Sequence, residues 1–295
     1  AGIMAEGTLR HPVTGTPQGG IISPMLANIY LTVLDARYRR WIPGPNEAPD
    51  NAQLRRRRDI RKGRPTFYLV RYADDFVILT NGTQEEAEVE KVALAEFLQQ
   101  ELGMELSMEK TLVSSVDSGF GFLGYRVVKE RAILSKRPVG KLYIPKEKLQ
   151  QVRDKIRTLT GKSTIWMTMD DLLKSLNPLI VGWRNYFRYA IGASKEFASL
   201  DRFVWLRIQK WAKRKHSKLN SHEIRRLYAR QESPTRSTWG GDKKLLMRFG
   251  QGRTQRYLCR GTRISNGWND EIDGLQPSRE VARPLSGFTM VGENL

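Results

Sequence analysis

Cysteine is almost missing from this chain: Cys259 is the single copy, and histidine occurs only at His11, His216 and His222. An internal disulfide is therefore excluded, as is a zinc site built on several cysteines. A reduced, intracellular setting is expected, cytoplasmic in a bacterium or inside an organelle. Long apolar runs are missing too. None approaches the roughly 18 residues that a membrane span needs, so no membrane partner is expected. The opening AGIMAEGTLRH has no basic stretch leading into an apolar one, and no signal peptide is expected there. Acid is scarce: 31 Asp and Glu stand against 50 Lys and Arg, a net charge of +19 over 295 residues. That balance points to a polyanionic partner, most simply nucleic acid. Apolar residues make up 40% of the chain, enough for a core, so general disorder is not expected.

The charge is unevenly placed. Residues 1–129 hold 16 basic and 16 acidic residues, whereas 130–295 hold 34 and 15. A composition boundary near residue 130 follows. One exception lies early: RRRRDIRKGR, from Arg55 to Arg64, has seven basic residues in ten. It reads either as a solvated loop or as a loop that tracks phosphates through Arg55, Arg56, Arg57 and Arg58.

Along the chain, HPVTGTPQGG is a Pro/Gly-rich loop, and a helix opens at Ser23 with Pro24 in its first turn and apolar Leu26, Ile29, Tyr30, Val33 and Leu34. Residues 42–66 read as a polar connection. FYLV (67–70) and FVIL (76–79) are too short for helices and read as a buried β-hairpin. Thr83 and Glu86 form a capping box for a helix with apolar Val89, Val92, Leu94, Ala95 and Leu98, closed by Gly103. Strands are expected around 111–116, 120–128 and 132–135. Strands and helices together predict an α+β sheet domain over 1–129. After Pro145 the pattern turns helical: a stripe Leu149, Val152, Ile156, Leu159, then a helix capped by Thr168 and Asp171 that Pro178 should kink or split, then a helix from about Ser199. Residues 130–219 carry 21 basic and seven acidic residues, so the helical bundle is itself basic. Residues 220–295 are expected to hold a short helix near 221–231, then loops and a weakly ordered basic tail. Arg225, Arg226, Arg248, Arg253, Arg256, Arg260 and Arg263 interleave there with Trp239, Tyr257 and Trp268, a pattern suited to DNA binding.

The chemistry concentrates at Asp74 and Asp75, between the two apolar strands. Adjacent carboxylates repel, and a divalent cation offsets that repulsion. Taken alone, the pair reads more readily as a solvated turn; the apolar strands on both sides and the basic run before it shift the balance toward a metal site.

Tyr72-Ala73-Asp74-Asp75 within LVRYADDFVIL resembles the metal-binding turn of reverse transcriptases. GTPQGGIISPMLANIYLTVLD resembles their Pro-Gln-Gly block, FLQQELGMELSMEKT the following helix-plus-lysine block, and GFGFLGY the primer-grip hairpin. Leu176-Asn177-Pro178 and Gly182-Trp183-Arg184-Asn185-Tyr186-Phe187 resemble the maturase, or thumb, domain of the group II intron-encoded reverse transcriptase/maturase family. The likeness covers about residues 1–215.

The resemblance implies a palm-type sheet domain over 1–129, part of a polymerase right hand. A helical thumb/maturase bundle over 130–219 and a basic C-terminal region over 220–295 complete the expected order. It implies Mg²⁺ ions on Asp74 and Asp75, with Lys110 beside the triphosphate. Pro17, Gln18, Gly19 and Tyr72 would border the incoming nucleotide and template, and Phe122, Leu123 and Gly124 the primer end. RNA would lie on Arg55–Arg58, Arg184, Arg207, Lys210, Lys213, Arg214 and Lys215. The implied partners are group II intron RNA, a DNA target or primer, and deoxynucleoside triphosphates. Each residue also has a plainer reading: Lys110 as a surface lysine, Phe122 and Leu123 as strand core, Gln18 and its glycines as loop formers.

Two departures from the family pattern stand out. The family's third metal-binding aspartate precedes the Pro-Gln-Gly block, and Ala1 to Leu9 contain no aspartate. The chain is therefore expected to lack the fingers and that residue. A Cys-rich nuclease domain cannot be assembled from Cys259 alone. Three functions stay open: a reverse transcriptase, an RNA-binding splicing cofactor without autonomous polymerase activity, and a non-specific nucleic-acid binder with a decayed core.

Overall fold

The computed structural model describes residues 3–5, 8–10, 22–44, 47–132, 138–233, 236–252, 254 and 288–292. They divide between two compact units. One comprises 1–123, 128–139 and 260–295; the other comprises 124–127 and 140–259.

The first unit is a mixed sheet-and-helix body. Short strands β1 (Ile3–Ala5) and β2 (Thr8–Arg10) form an antiparallel pair. Helix α1 (Ser23–Tyr30) opens with proline in its first turn, as expected, and breaks at Leu31 before α2 (Thr32–Arg37). Of the expected apolar stripe, Leu34 is buried, whereas Leu26, Ile29 and Tyr30 are exposed.

The connection expected over 42–66 instead contains a helix, α3 (Pro49–Arg61). Arginine, leucine, glutamine and alanine are good helix formers, and Ala52 and Asp59 turn inward. Asp59, the one acid in the basic run, accepts from Arg40 Nε and Nη2, both at 2.9 Å, and from Trp41 Nε1 at 3.1 Å.

Strands β3 (Phe67–Tyr72) and β4 (Asp75–Thr80) form the expected hairpin, with Phe67 opposite Thr80 and Tyr72 opposite Asp75. Phe76, Val77 and Ile78 are all buried, so both faces of β4 are covered. Helix α4 (Gln84–Leu102) has the Thr83–Glu86 capping box and ends on Gly103 in the left-handed conformation that glycine adopts without penalty. Its inward face is Ala87, Leu94, Leu98 and Leu102, while Val89 and Val92 are exposed. Those leucines pack with Leu31, Leu34, Phe67, Leu69, Phe76 and Ile78 into one core.

Strand β5 (Leu112–Ser115) follows, then β6 (Phe120–Phe122) and β7 (Tyr125–Arg131). Of the strand expected over 132–135, Ala132 is outside any strand and 133–135 lie outside the described residues. Strand β8 (Pro138–Tyr143) completes a three-stranded sheet of order β6-β7-β8.

The second unit is mainly helical. Helix α5 (Lys146–Leu159) buries Leu149, Val152 and Ile156. Helix α6 (Met169–Phe187) has the Thr168–Asp171 capping box and passes through Pro178 without splitting. Helix α7 (Ala193–Lys215) begins after left-handed Gly192, earlier than the expected Ser199. Helix α8 (Ser221–Tyr228) leads into a hairpin of β9 (Ala229–Ser233) and β10 (Arg236–Trp239), a region read from sequence as loop. Ile224, Trp239, Leu246 and Phe249 join the core of α5, α6 and α7, so residues past 220 are structural here.

One more strand, β11 (Phe288–Gly292), lies in the region expected to be a weakly ordered tail. It belongs to the first unit, in a four-stranded sheet of order β3-β4-β11-β5. Among the described residues no helix is long and apolar enough to cross a membrane.

Candidate active site and nucleic-acid interface

Asp74 and Asp75 form the β3–β4 turn, both half-exposed, beside exposed Tyr72. The preceding Ala73 has φ +54°, a left-handed value unusual for a residue with a Cβ. Leu123, with φ +46°, is the other non-glycine residue at positive φ among the described residues, and it sits in the expected primer-grip turn. Backbone strain of this kind collects where function over-determines a conformation.

Arg71 holds the acidic turn. Its guanidinium pairs with both carboxylate oxygens of Asp35 on α2, donates to Asn28 Oδ1 on α1 at 3.0 Å, and donates to the Ala73 carbonyl at 3.1 Å. The helices of the Pro-Gln-Gly block are thus tied to the turn through one half-buried cation. Sequence reasoning assigned Arg71 no role. The available signal was a lone arginine next to an acidic pair in an otherwise apolar strand.

Lys110 lies in the turn that leads into β5. Register places it at the Asp75 end of the sheet: Val77, Val291 and Leu112 share a row, and Asp75 and Lys110 each lie two residues before it. Two strand spacings, roughly 10 Å, separate β4 from β5. Phe122 ends β6, and Leu123 and Gly124 turn the chain into β7, in the other sheet. Gly124 has φ +70°, which favours glycine. Pro17, Gln18 and Gly19 lie outside the described residues.

The two carboxylates at 74 and 75 are hard, anionic oxygen donors. At a half-exposed turn, water and phosphate oxygens can complete a six-coordinate shell, so the donor set fits Mg²⁺.

The four-arginine run is divided. Arg55 pairs with Glu47 and donates to the Arg40 carbonyl; Arg56 donates to the Trp41 carbonyl and lies over the Tyr68 ring at 5.3 Å. Burial lowers the Arg56 pKa from its ordinary value. Arg57 and Arg58 are exposed.

The helical unit shows the same division. Arg184 donates to the Arg248 carbonyl at 3.2 Å. Arg207 donates to Thr160 Oγ1 at 2.9 Å and to the carbonyls of Thr160 and Arg157, satisfying the last carbonyls of α5. Lys215 donates to the carbonyls of Ile165 and Met167, both at 2.8 Å. Lys210, Lys213 and Arg214 are exposed, and their spacing puts them on one face of α7. Trp239, expected to stack on DNA, is fully buried at 4.8 Å from Trp205. Arg248 pairs with Glu232 at 2.9 Å. Arg253, Arg256, Tyr257, Arg260, Arg263 and Trp268 lie outside the described residues.

Against known proteins, the model of the family "Reverse transcriptase (RNA-dependent DNA polymerase)" matches residues 4–127. The model "Group II intron, maturase-specific domain" matches residues 149–229. Residues 4–127 are thus similar to reverse transcriptases and residues 149–229 to group II intron maturases, and the chain is homologous to group II intron-encoded proteins. Its similar relatives include the Group II intron-encoded protein LtrA of Lactococcus lactis subsp. cremoris, 28% identical over 268 residues, covering 70% of this chain and 44% of that protein. Protein YkfC of Escherichia coli (strain K12) is 32% identical over 176 residues, covering 56% of this chain and 45% of that protein. The Putative COX1/OXI3 intron 1 protein of Saccharomyces cerevisiae is 31% identical over 156 residues, covering 42% and 18%. The chain spans less than half the length of these relatives. The two family matches meet this chain at the acidic turn and at the basic helices.

Proposed function

We propose that this chain carries palm and maturase/thumb parts of a group II intron reverse transcriptase, acting in RNA-templated DNA synthesis and in intron RNA binding. The observation that carries the reading is the strained Ala73-Asp74-Asp75 turn, clamped by Arg71, with Lys110 at the same end of the sheet.

In the proposed reaction the primer 3′-hydroxyl oxygen gives up its proton to solvent and bonds to the α-phosphorus of a deoxynucleoside triphosphate, and the bond to pyrophosphate breaks. Asp74 and Asp75 would hold Mg²⁺, which when bound lowers the hydroxyl pKa and neutralises charge on the leaving phosphates. Lys110 offers a cation, or a proton, to the departing pyrophosphate. Phe122, Leu123 and Gly124 would support the primer end and Tyr72 would line the nucleotide and template side, where the family resemblance also assigns Pro17, Gln18 and Gly19.

The reading is tested by primer extension on an RNA template with Asp74→Ala and Asp75→Ala. Nucleotide addition should fall by about a thousandfold or more, which corresponds to several kcal/mol of barrier. Undiminished addition in either variant removes the metal role.

A second reading is favoured by the exposed face of Lys210, Lys213 and Arg214: an RNA-binding splicing cofactor that makes and breaks no bonds. Intron splicing that survives Asp75→Ala but fails when this face is neutralised would select it.

A further inference from the structure

Among the described residues, strand β5 is joined to its sheet solely through β11. The order β3-β4-β11-β5 gives β5 no pairing with β4, and β11 runs antiparallel to both. Four of the five β11 residues pair on either side. Phe76, Val77, Ile78 and Leu79 face Gly292, Val291, Met290 and Thr289. On the other edge, Leu112, Val113, Ser114 and Ser115 face Val291, Met290, Thr289 and Phe288. A central strand directs its N–H and C=O groups alternately to its two neighbours. Without it the inner edge of β4 would be left unpaired along Phe76, Val77 and Ile78, which are buried, and unpaired backbone groups in such a place are strongly disfavoured.

The strand is supplied from the far end of the sequence. Its position also decides the site. The shared row Val77–Val291–Leu112 is what brings the turn carrying Lys110 to the same sheet end as Asp75. Helix α4 lies against both β11 and β5, so the same strand bridges the helix and the sheet.

We propose that Phe288–Gly292 is a fold-completing strand whose docking between β4 and β5 assembles the nucleotide site, a role that rests on reading the acidic turn as that site. The segment acts by positioning: it sets β5, and with it Lys110, against the Asp74–Asp75 turn. The chain beyond the maturase helices is then an integral part of the sheet unit.

Hydrogen exchange on the full chain tests this, compared with a chain ending at Gly287, with Met290→Pro and with Met290→Val. Proline removes a ladder N–H, whereas valine keeps the strand. The amides of Phe76–Leu79 and Leu112–Ser115 should exchange about a hundredfold faster in the shortened chain and in Met290→Pro. They should be unchanged in Met290→Val, and α5, α6 and α7 should keep their protection throughout. A synthetic peptide of residues 286–295 added to the shortened chain should restore protection. Equal protection in the shortened and full chains overturns the proposal, and so does a peptide without effect. Exchange does not depend on chemistry at the turn. A site that failed Asp75→Ala in primer extension while β4 and β5 still responded to β11 would therefore refute the polymerase reading and leave the strand's structural role standing.

Discussion

In the sheet unit four arginines meet acids: Arg37 with Glu90, Arg40 with Asp59, Arg55 with Glu47 and Arg71 with Asp35. In the helical unit Arg157 and Arg248 also pair with acids, Asp154 and Glu232, but Arg207 and Lys215 meet carbonyl oxygens, and Lys210, Lys213 and Arg214 stand exposed on the same helix as these two. The contrast explains how a chain of net charge +19 keeps a neutral first part. These four arginines serve as scaffolding, and one of them, Arg71, holds the acidic turn. In the helical unit acids are few, so the surplus charge faces solvent, where phosphates can neutralise it.

The sharpest break in that contrast is at Asp59. Asp59→Ala leaves half-exposed Arg40 and Trp41 without their acceptor, and loss of such charge-assisted hydrogen bonds costs about 2.5 kcal/mol. Arg207→Ala in the helical unit should cost about 1.5 kcal/mol, because it frees carbonyls rather than a charge. Denaturant unfolding of the two variants measures the difference. The two hydrogen bonds from Arg40 hold the Asp59 pKa below the usual aspartate value. Its contribution is therefore complete above about pH 3.9 and fades as pH falls through the lower folded value. Asp59→Asn should lack that acid-dependent loss, read by the helical circular dichroism signal during acid titration.

Next comes the turn clamp. Arg71→Met keeps the stem but removes the pairs to Asp35, Asn28 and the Ala73 carbonyl. Misplacing a reacting group by about 1 Å costs up to about a hundredfold in rate, so nucleotide addition should fall tenfold to a hundredfold. RNA affinity should stay as it was. An equal loss of both would mean that the clamp is general scaffolding rather than a device for the turn.

The local grammar of this fold was legible. Thr83 with Glu86, Thr168 with Asp171, the end at Gly103 and the hairpin around Asp74–Asp75 are all written within a few residues of where they act. Long-range pairing was not. Helix α3 read as a loop because its anchor, Asp59, finds Arg40 and Trp41 far back in the chain. Strand β11 carries no local mark that it will lie between β4 and β5. Trp239 read as a stacking surface because its burial depends on Trp205 and the β9–β10 hairpin. The acidic pair stood out between two apolar strands and took its metal role from the family resemblance; Arg71, which holds it, emerged once α1 and α2 were in place.

The mildest effect belongs to the exposed face of α7. Replacing Lys210, Lys213 and Arg214 by glutamine should lower the log–log salt slope of RNA binding by about 2 to 3, because each neutralised phosphate contributes about 0.7 to 0.9. The same exchange at Arg207 and Lys215 should act chiefly on stability.

Metal binding at the turn is the most direct test. Mn²⁺ in place of Mg²⁺ can be titrated into the chain with a nucleoside triphosphate present and followed by electron paramagnetic resonance, with the Asp74→Asn/Asp75→Asn double variant alongside. Mn²⁺ binding in the parent chain, lost in the double variant while RNA affinity holds, is the predicted result. Equal Mn²⁺ binding by both proteins would contradict it.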